Sequence, residues 1–496
     1  MCGIVGYVGQ EQATPIILEG LRRLEYRGYD SAGVAVLDRS AVQLVKEVGK
    51  LKVLRSRLEE DSLAGTTGIG HTRWATHGVP SQANAHPHHD CTHSFMLVHN
   101  GIIENYNELR QELIGKGHRF VSETDTEVVV HLIEDTYSDD LLQAMVSAMR
   151  MLRGAYALAV ITTHEPDTIV AARCGSPLVV GFGDGCNLVA SDASAVLAHT
   201  RRVVYLDDYQ AARLGREELV VCDLHGKEVE AEVREITLNL SDIEKGGHPH
   251  FMIQEIFEQP SLVADVLVRR VSSESGGIDF IEARLDELGL ESMERIMMVS
   301  CGTAYHASMV GKYYLENLAR LPVEVDVASE FRYRNPVLDE HTLVISISQS
   351  GETADTLAGV KEARSRGAKV LSLINVEGSS IDRESDATLY VYAGPEIAVA
   401  STKAYTAQLL SLLLFSLYLG RRRGSLDEET YAELIGELRS IPEKMQWVLD
   451  NHEVVKECSR RFGNVSNFLY LGRSYNYPNA LEGALKLKEL SYIHAE

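Results

Sequence analysis

Residues 342–365 read TLVISISQSGETADTLAGVKEARS, an apolar run that passes through a polar turn into a helical pattern. Two similar units flank it, RIMMVSCG at 295–302 with a helical stretch behind it, and KVLSLINV at 369–376. Apolar runs of strand length predict strands buried on both faces, and their alternation with helices is typical of a parallel, doubly wound sheet. The sequence therefore predicts an α/β domain, which we place at residues 281–440.

The same rhythm starts again towards the end of the sequence. NFLYLGRS at 467–474 predicts a strand, and NALEGALKLKEL at 479–490 predicts the helix that follows it. A further parallel strand needs a crossover of about a dozen residues or more, and the sequence stops at residue 496. We expect residues 455–496 to be the start of a second, incomplete α/β domain.

The first 240 residues follow a different pattern. They hold many strand-length runs joined by short turns, such as CGIVGYV, SAGVAVLD and GAYALAVITT, with few helices between them. This pattern favours antiparallel sheets covered by helices, an α+β domain at residues 1–240. Between the halves, Ser241 to Pro260 contains Gly246-Gly247 and two prolines, which predict a linker. We assign residues 241–280 to this linker and a connecting helix.

The composition limits the class of protein. The 496 residues are 45% hydrophobic and 24% charged, which is typical of a chain with two to four globular domains. A formal net charge of −23 speaks against a nucleic-acid partner. The seven cysteines are scattered without a CxxC pair, which predicts no disulfide framework and a cytoplasmic location. The uncharged stretch 404–420 is at the short limit for a bilayer, so we predict a buried core helix and no membrane partner.

Cys2 is a candidate nucleophile because removal of Met1 would place a free α-amine beside its thiol. A thiol is mostly protonated at neutral pH, and an α-amine with a pKa of about 8 can take its proton. Asn100-Gly101 offers an amide and a backbone N–H to a tetrahedral oxyanion, although Asn-Gly also favours a hairpin turn. A glutamine substrate presents a carboxylate and an ammonium group, for which Arg73 and Asp125 are candidates. Either residue could instead be a surface charge, and Asp125 could be a helix cap.

The motifs CGIVG, LEYRGYDSAG, HTRWATHG, NAHPH, HNGIIEN and SETDTE, in this order, resemble the glutaminase domain of the class II amidotransferases. The resemblance implies an N-terminal-nucleophile (Ntn) fold, an αββα sandwich of antiparallel sheets. It implies that Cys2 attacks the glutamine amide, that Asn100 and Gly101 form the oxyanion hole, and that Arg73 and Asp125 hold the amino-acid end. The resemblance also implies roles for further residues. Trp74 gates the ammonia path, Thr76 and His77 line the glutamine pocket, Arg27 lies near the nucleophile and His86 is structural.

Several histidines and a cysteine crowd the loop NAHPHHDCTH at residues 84–93. Their spacing matches no standard set of metal ligands, so we expect no metal and no cofactor.

The polar turn at 348–353, SQSGET, places hydroxyls and free N–H groups at the start of a helix, where a phosphate would bind. Helix capping by serine and threonine explains the same residues. Two further polar turns, SCGT at 300–303 and VASTK at 399–403, could converge on the same ligand. No P-loop and no dinucleotide fingerprint occurs in the sequence.

The motifs CGTAYHA, ASEFRYR, SQSGETADT, AVASTKAY and LEGALKLKELSYIHAE resemble the sugar isomerase (SIS) domain of the glutamine:fructose-6-phosphate aminotransferase family. The resemblance implies that L-glutamine and fructose 6-phosphate become L-glutamate and glucosamine 6-phosphate, in a homodimer. Ala304 stands where many members have serine, which removes one hydroxyl. By the same resemblance Glu489 moves the proton between C1 and C2 of the sugar with help from Lys486, and the sugar phosphate contacts Thr303, Ser348, Gln349, Ser350, Thr353, Val399 and Ser401.

Two other functions remain open from the residues. The second half could be a sugar-phosphate sensor that binds its ligand without turning it over, or the glutaminase could serve another acceptor. The resemblance also implies a catalytic histidine, a Schiff-base lysine and a sealing tail that have no candidates in residues 1–496. We therefore expect this chain to retain chiefly glutaminase activity.

Overall fold

The computed structural model describes residues 2–25, 28–38, 41–60, 63–75, 77–236, 247–273 and 275–496. The chain divides into two compact units, Met1–Asp242 and Ile243–Glu496. The strands of the first unit are β1 (Gly3–Val8), β2 (Ser31–Asp38), β3 (Ala41–Val48), β4 (Thr67–Arg73), β5 (His88–His89), β6 (Phe95–Ile103), β7 (Gly154–Thr162), β8 (Ile169–Cys174), β9 (Val179–Phe182), β10 (Asn187–Ala190), β11 (Arg202–Tyr205), β12 (Gln210–Leu214), β13 (Leu219–Cys222) and β14 (Val233–Glu235). Its helices are α1 (Ala13–Leu24), α2 (Leu51–Glu60), α3 (Tyr106–Lys116), α4 (Glu127–Thr136) and α5 (Leu141–Met151).

These strands form two sheets, in the orders β14-β11-β9-β10-β1-β4-β2-β3 and β13-β12-β8-β7-β6-β5. Neighbouring strands pair antiparallel in both sheets, for example β1 with β4 and β6 with β7. Apolar side chains from both sheets, such as Ile4 and Val98, form one buried cluster. The alternate side chains of β6 and β7, such as Leu97 and Leu158, face α3, α4 and α5 instead.

Helix α1 packs on β1 and β4 of the larger sheet. The approach is close because Gly70 has no side chain: a Cβ there would lie 2.4 Å from Cγ2 of Ile17. Helices therefore cover both sheets, and the predicted αββα sandwich of antiparallel sheets is confirmed.

The strands of the second unit are β15 (Arg295–Ser300), β16 (Val323–Val327), β17 (Thr342–Ser348), β18 (Lys369–Ile374), β19 (Ala387–Tyr390), β20 (Asn467–Phe468) and β21 (His494–Ala495). Its helices are α6 (Phe251–Arg270), α7 (Thr303–Tyr314), α8 (Ala328–Tyr333), α9 (Ala354–Ser365), α10 (Ser380–Glu384), α11 (Lys403–Arg423), α12 (Glu428–Asp450), α13 (Glu453–Phe462) and α14 (Asn476–Ser491).

Strands β15 to β19 form a parallel sheet in the order β16-β15-β17-β18-β19. Side chains of α6, α7, α11 and α12 pack on one face, and those of α8, α9 and α10 pack on the other. The predicted doubly wound α/β fold is confirmed. Because Ser300 of β15 pairs with Ile347 of β17, the turns after these two strands leave the sheet at the same edge.

Helix α11 contains the uncharged stretch 404–420, and most of its side chains are buried in the core of the second unit, as predicted. None of the described helices combines the length and the apolar character needed to cross a membrane.

Three local expectations differ from the structure. Helix α6 begins at Phe251, inside the stretch expected to be a linker, and Pro260 lies within it. Proline removes one helical hydrogen bond, but burial of Leu262, Val263 and neighbouring side chains outweighs that loss. Helix α12 continues past residue 440, where we expected the first α/β domain to end. Of the strand expected at 467–474, only Asn467–Phe468 forms a strand, paired with the two-residue β21, and the N–H of Tyr470 adds a hydrogen bond to the carbonyl of Glu496.

Candidate active sites

Cys2 lies directly before β1, and its thiol is next to the turn that follows β4. The backbone N–H of Trp74 donates to Sγ of Cys2 at 3.2 Å. The Trp74 ring is 38% exposed and packs edge-on against Tyr29 at 5.3 Å between ring centroids. Burial raises the pKa of the Cys2 thiol, although the Trp74 hydrogen bond and the nearby Arg73 charge oppose the rise. The thiol therefore needs a base before it can act as a nucleophile.

Asn100 and Gly101 lie inside β6 and not in a hairpin turn, since Asn100 pairs with Ala157 and Gly101 with Tyr156 of β7. The Asn100 side chain donates from Nδ2 to the carbonyl oxygen of Cys2 at 3.0 Å. Gly101 has φ 134°, a left-handed conformation that favours glycine, and a Cβ there would lie 2.0 Å from the carbonyl oxygen of Ala155. The pair is thus held beside the thiol by the sheet itself.

His71 fixes the orientation of the Asn100 amide. Its Nε2 lies 2.9 Å from Oδ1 of Asn100 and 3.1 Å from the carbonyl oxygen of His99. Both of these atoms are acceptors, so Nε2 of His71 carries the proton and donates. The amide NH₂ of Asn100 must then point the other way, towards Cys2.

His71 belongs to a buried group of histidines with His86, His88 and His99. Burial lowers the pKa of His71 to about 3 and lowers the pKa values of the other three as well. Thr126 links two of them, because its Oγ1 lies 3.0 Å from Nε2 of His86 and 2.9 Å from Nδ1 of His99. These histidines are neutral, and through hydrogen bonds they hold β6, the strand that carries Asn100 and Gly101. His86 is buried among them, in line with the structural role implied for it.

Arg73 and Asp125 reach the same cleft as the thiol. Nη2 of Arg73 donates to the carbonyls of His77 and Gly78, whereas its Nη1 is buried with no hydrogen-bond partner in the described part of the chain. One Oδ of Asp125 accepts from the N–H of Ile103 at 2.8 Å. The cleft is lined by Cys2, Arg73, Trp74, His86, His99, Gly101, Thr124, Asp125 and Thr126.

The remaining predicted residues of this site have other positions. His77 contributes its carbonyl to Arg73, and its ring packs on Tyr106 at 5.3 Å. Thr76 and Arg27 lie outside the described residues. The sequence analysis overlooked His71, although it stands two residues before Arg73 on β4 and therefore on the same face of the strand.

In the second unit, the turn after β17 is held by its own hydroxyls. Oγ of Ser348 accepts from the N–H of Gly351 at 3.0 Å and lies 3.0 Å from Oγ1 of Thr353. Oγ of Ser350 accepts from the N–H of Glu352 at 3.1 Å, and the carbonyl of Gln349 accepts from Asn375 at 3.2 Å. Gly351 has φ 66°, which explains why glycine stands at this point of the turn.

The turn before α11 differs because two of its hydroxyls are unused. Oγ of Ser401 and Oγ1 of Thr402 are both buried and make no hydrogen bond with any described residue. Val399 is 66% exposed. The N–H groups of Thr402 and Ala404 already donate to Oε1 of Glu396, at 2.8 and 3.0 Å. A ligand at this turn would therefore meet the Ser401 hydroxyl and not these two amides.

Lys486 and Glu489 lie on α14 and pair with each other, with Nζ and Oε2 2.7 Å apart. Nζ of Lys486 also donates to Oγ1 of Thr303 at 3.1 Å. Glu482, which the sequence analysis missed, accepts from Thr303 at 2.9 Å and from Nδ1 of His306 at 2.7 Å. Its position one turn before Lys486 could have indicated it. The structure thus brings Lys486 against the first turn of α7, with Glu489 paired to it on α14.

The comparisons with known proteins agree with this division. The family described as "Glutamine amidotransferase domain" matches residues 71–198, and the family "SIS domain" matches residues 289–418. The chain is 50% identical over 496 residues to a glutamine–fructose-6-phosphate aminotransferase (isomerizing) from Caldanaerobacter subterraneus subsp. tengcongensis, covering all of this chain and 81% of that protein. It is also 50% identical over 501 residues to the protein of the same name from Thermus thermophilus, again with coverage of 100% and 81%.

Among solved structures, the chain is similar to the C-terminal domain of glucosamine-fructose-6-phosphate aminotransferase from Francisella tularensis. The identity is 40% and the TM-score 0.49, over 51% of this chain and 70% of that one.

Proposed function

The chain belongs to the glutamine–fructose-6-phosphate aminotransferase (isomerizing) family, and from that membership we propose how its residues divide the reaction. The family's enzyme converts D-fructose 6-phosphate and L-glutamine into D-glucosamine 6-phosphate and L-glutamate, the first step of hexosamine formation. Glutamine hydrolysis falls to the first unit and phosphosugar binding to the second.

In the first unit, the Cys2 thiolate attacks the side-chain amide carbon of glutamine, after its α-amine has accepted the thiol proton. The tetrahedral oxyanion receives hydrogen bonds from Nδ2 of Asn100 and the N–H of Gly101, and it collapses to a thioester as ammonia leaves. Water then releases glutamate and restores the thiol. The observation that supports this most directly is the Asn100 amide, which lies 3.0 Å from the Cys2 carbonyl and is oriented by His71.

The amino-acid end of glutamine binds Arg73 and Asp125. The free Nη1 of Arg73 suits the α-carboxylate, and the second oxygen of Asp125 suits the ammonium group. Trp74 and His77 complete the pocket and its outlet.

In the second unit, the sugar phosphate binds the turns that carry Ser348 and Ser401, with Thr303 at the start of α7. The chemistry at C1 and C2 falls to Glu489 as base, with Lys486 beside it. The support is the contact of Lys486 with Thr303, which joins the isomerase helix to the phosphate edge of the parallel sheet.

We also propose a cytoplasmic location and a homodimer. None of the seven cysteines, all of which the structure describes, forms a disulfide, and this supports a reducing compartment. The resemblance to the family supports the homodimer, and light scattering during gel filtration would measure it directly.

The assignment of substrates is tested by two measurements on the same chain. Glutamate release from L-glutamine reports the first unit, and calorimetric titration with fructose 6-phosphate reports the second. We expect hydrolysis and saturable binding of fructose 6-phosphate. Binding of phosphoribosyl pyrophosphate or 2-oxoglutarate in its place would contradict the assigned acceptor. Binding without any glutamine hydrolysis would favour a sensor.

A further inference from the structure

Four potential metal ligands meet at one point of the first unit, away from the glutamine cleft. Cys91 lies in the turn between β5 and β6, His118 lies just after α3, and His131 and Glu134 are one turn apart on α4. One donor atom from each of these four residues lies within 4.8 Å of all the others. They come from three separate segments of the chain, so local sequence spacing did not reveal them.

The separations of these atoms are those of a nearly assembled coordination sphere. Sγ of Cys91 lies 3.8 Å from Nδ1 of His118 and 3.7 Å from Nδ1 of His131. Oε2 of Glu134 lies 2.9 and 3.0 Å from the same two nitrogens. Zinc bonds of about 2.0–2.3 Å in a tetrahedron place ligand atoms roughly 3.3–3.6 Å apart. These four separations are therefore each within a few tenths of an ångström of a zinc geometry, and the four donor atoms all lie within 4.8 Å of one another.

The surroundings of the two imidazoles also suit metal ligands. Each turns Nδ1 towards the common point and Nε2 towards a second carboxylate. Nε2 of His131 lies 3.7 Å from Oε1 of Glu127, and Nε2 of His118 lies 3.6 Å from Oδ1 of Asp135. Both distances exceed that of a hydrogen bond, and Nε2 of His131 has no hydrogen-bond partner among the described residues. A shift of about half an ångström would let each carboxylate accept from its imidazole, as the carboxylates behind metal-bound histidines commonly do, where they set the tautomer and orient the ring.

We propose that Cys91, His118, His131 and Glu134 form a structural zinc site. Thiolate, imidazole and carboxylate together are typical ligands of Zn²⁺, and four protein ligands leave no position for a reacting water. Binding displaces the thiol proton of Cys91 into solvent. Without an ion, each Nδ1 donates its proton to Oε2 of Glu134. On binding, that proton leaves and each ring is protonated at Nε2 alone, so that Nδ1 of both histidines and Oε2 of Glu134 give lone pairs to the ion. No electron transfer is involved.

The site joins the segments that carry the glutaminase residues. The turn at Cys91 leads into β6, which holds Asn100 and Gly101, and Asp125 lies two residues before α4. A zinc ion would pin the start of β6 to α4 and thereby stabilise the cleft without touching the substrate.

The test begins with the full chain freed of metal by a chelator and titrated with zinc chloride. We expect one zinc ion per chain and a rise in melting temperature on binding. Cys91→Ser should weaken zinc binding by more than about 100-fold, and Asp135→Asn by about 10- to 100-fold, as the loss of an outer carboxylate does. Cys458→Ser is the matched control, because this exposed cysteine lies on α13 of the second unit.

Cobalt(II) gives a spectroscopic check on the same samples. A tetrahedral site with one thiolate should show a charge-transfer band and strong visible bands, which disappear in Cys91→Ser and persist in Cys458→Ser. Magnesium should not compete, since hard cations avoid thiolate. Zinc bound at well under one ion per chain, or with equal affinity by Cys91→Ser and the control, would overturn the proposal. Cys91 is exposed, so the Cys91→Ser variant should fold. A loss of zinc binding in this variant can then be attributed to the missing thiolate.

Discussion

The two candidate sites differ in how their polar side chains are held in place. In the first unit, neutral histidines buried behind β4 and β6 hold Asn100 in one orientation, and the thiol meets a backbone N–H. In the second unit, charged side chains satisfy one another, as Lys486 does with Glu489 and Glu482. The proposed oxyanion donors are therefore in place before substrate arrives. The charges proposed for the isomerase step must exchange partners when the sugar binds.

This difference follows from the charge each site handles. A negative charge that develops only in the transition state is best met by dipoles fixed in advance, because their reorganisation would add to the barrier. A phosphosugar brings its charge with it and can displace ion pairs that are partly exposed, as Glu489 is at 41%. Changes at the oxyanion donors of the first unit should thus appear mainly in kcat, and changes in the second unit mainly in ligand affinity.

The sharpest contrast between the units should come from Cys2→Ala. Without the sulfur no thioester can form, so glutamine hydrolysis should fall to background, a loss on the order of 10⁶ in kcat. Titration with fructose 6-phosphate should be unchanged, since its candidate ligands are all in the second unit. Cys186→Ser serves as the control. Glutamate release at an undiminished rate would remove Cys2 from the mechanism.

Asn100→Ala tests whether the fixed amide acts only in the transition state. We expect kcat for glutamine hydrolysis to fall by roughly 100- to 1,000-fold with little change in KM. Arg73→Ala should instead raise KM strongly, because it removes the partner of the bound carboxylate. Steady-state kinetics of the two variants separate these effects. The same change in KM for both would refute the division between oxyanion donor and substrate anchor.

Lowering the pH should destabilise the first unit more than the second. Burial lowers the pKa values of four histidines in the first unit, that of His71 to about 3, whereas the unfolded value is near 6.5. Between these values the unfolded chain binds more protons than the folded one. The stability that neutral histidines provide is therefore complete above pH 6.5 and is lost as the pH falls towards 3, at up to about 1.4 kcal/mol per histidine and pH unit.

The described residues of the second unit include no comparable group of buried histidines. Hydrogen exchange read by mass spectrometry on peptides from β6 and β17 should show β6 losing protection first as the pH is lowered. Simultaneous loss, or earlier loss in β17, would mean that the histidine group does not govern the acid stability of the first unit.

Much of this architecture could be predicted because the sequence pattern is local. The apolar runs that form β1, β6, β15 and β17 can each be recognised as strands from their own residues. The turn at 348–353 can be recognised in the same way. The contacts made by His71 and by Glu482 could not be predicted, because they depend on which segments pack together. Residues 467–474 show the reverse case: the run has strand-like residues, yet Leu471 is 91% exposed because a strand needs a neighbour to pair with.

The smallest expected effect concerns two serine hydroxyls. The hydroxyl of Ser401 is proposed to bind the ligand alone, whereas that of Ser348 also supports the fold. Oγ of Ser401 is buried without a hydrogen bond among the described residues, whereas Oγ of Ser348 accepts from Gly351 and meets Thr353. Removing one neutral hydrogen bond costs about 0.5–1.5 kcal/mol, so either alanine variant should weaken fructose 6-phosphate binding by roughly 2- to 13-fold. The variants should differ in stability. Ser401→Ala deletes an unsatisfied polar atom and should keep or raise the melting temperature, and Ser348→Ala should lower it. Calorimetry and thermal unfolding of both variants measure the two effects, and a Ser401→Ala chain that binds the sugar as the parent does would show that this hydroxyl is not a ligand.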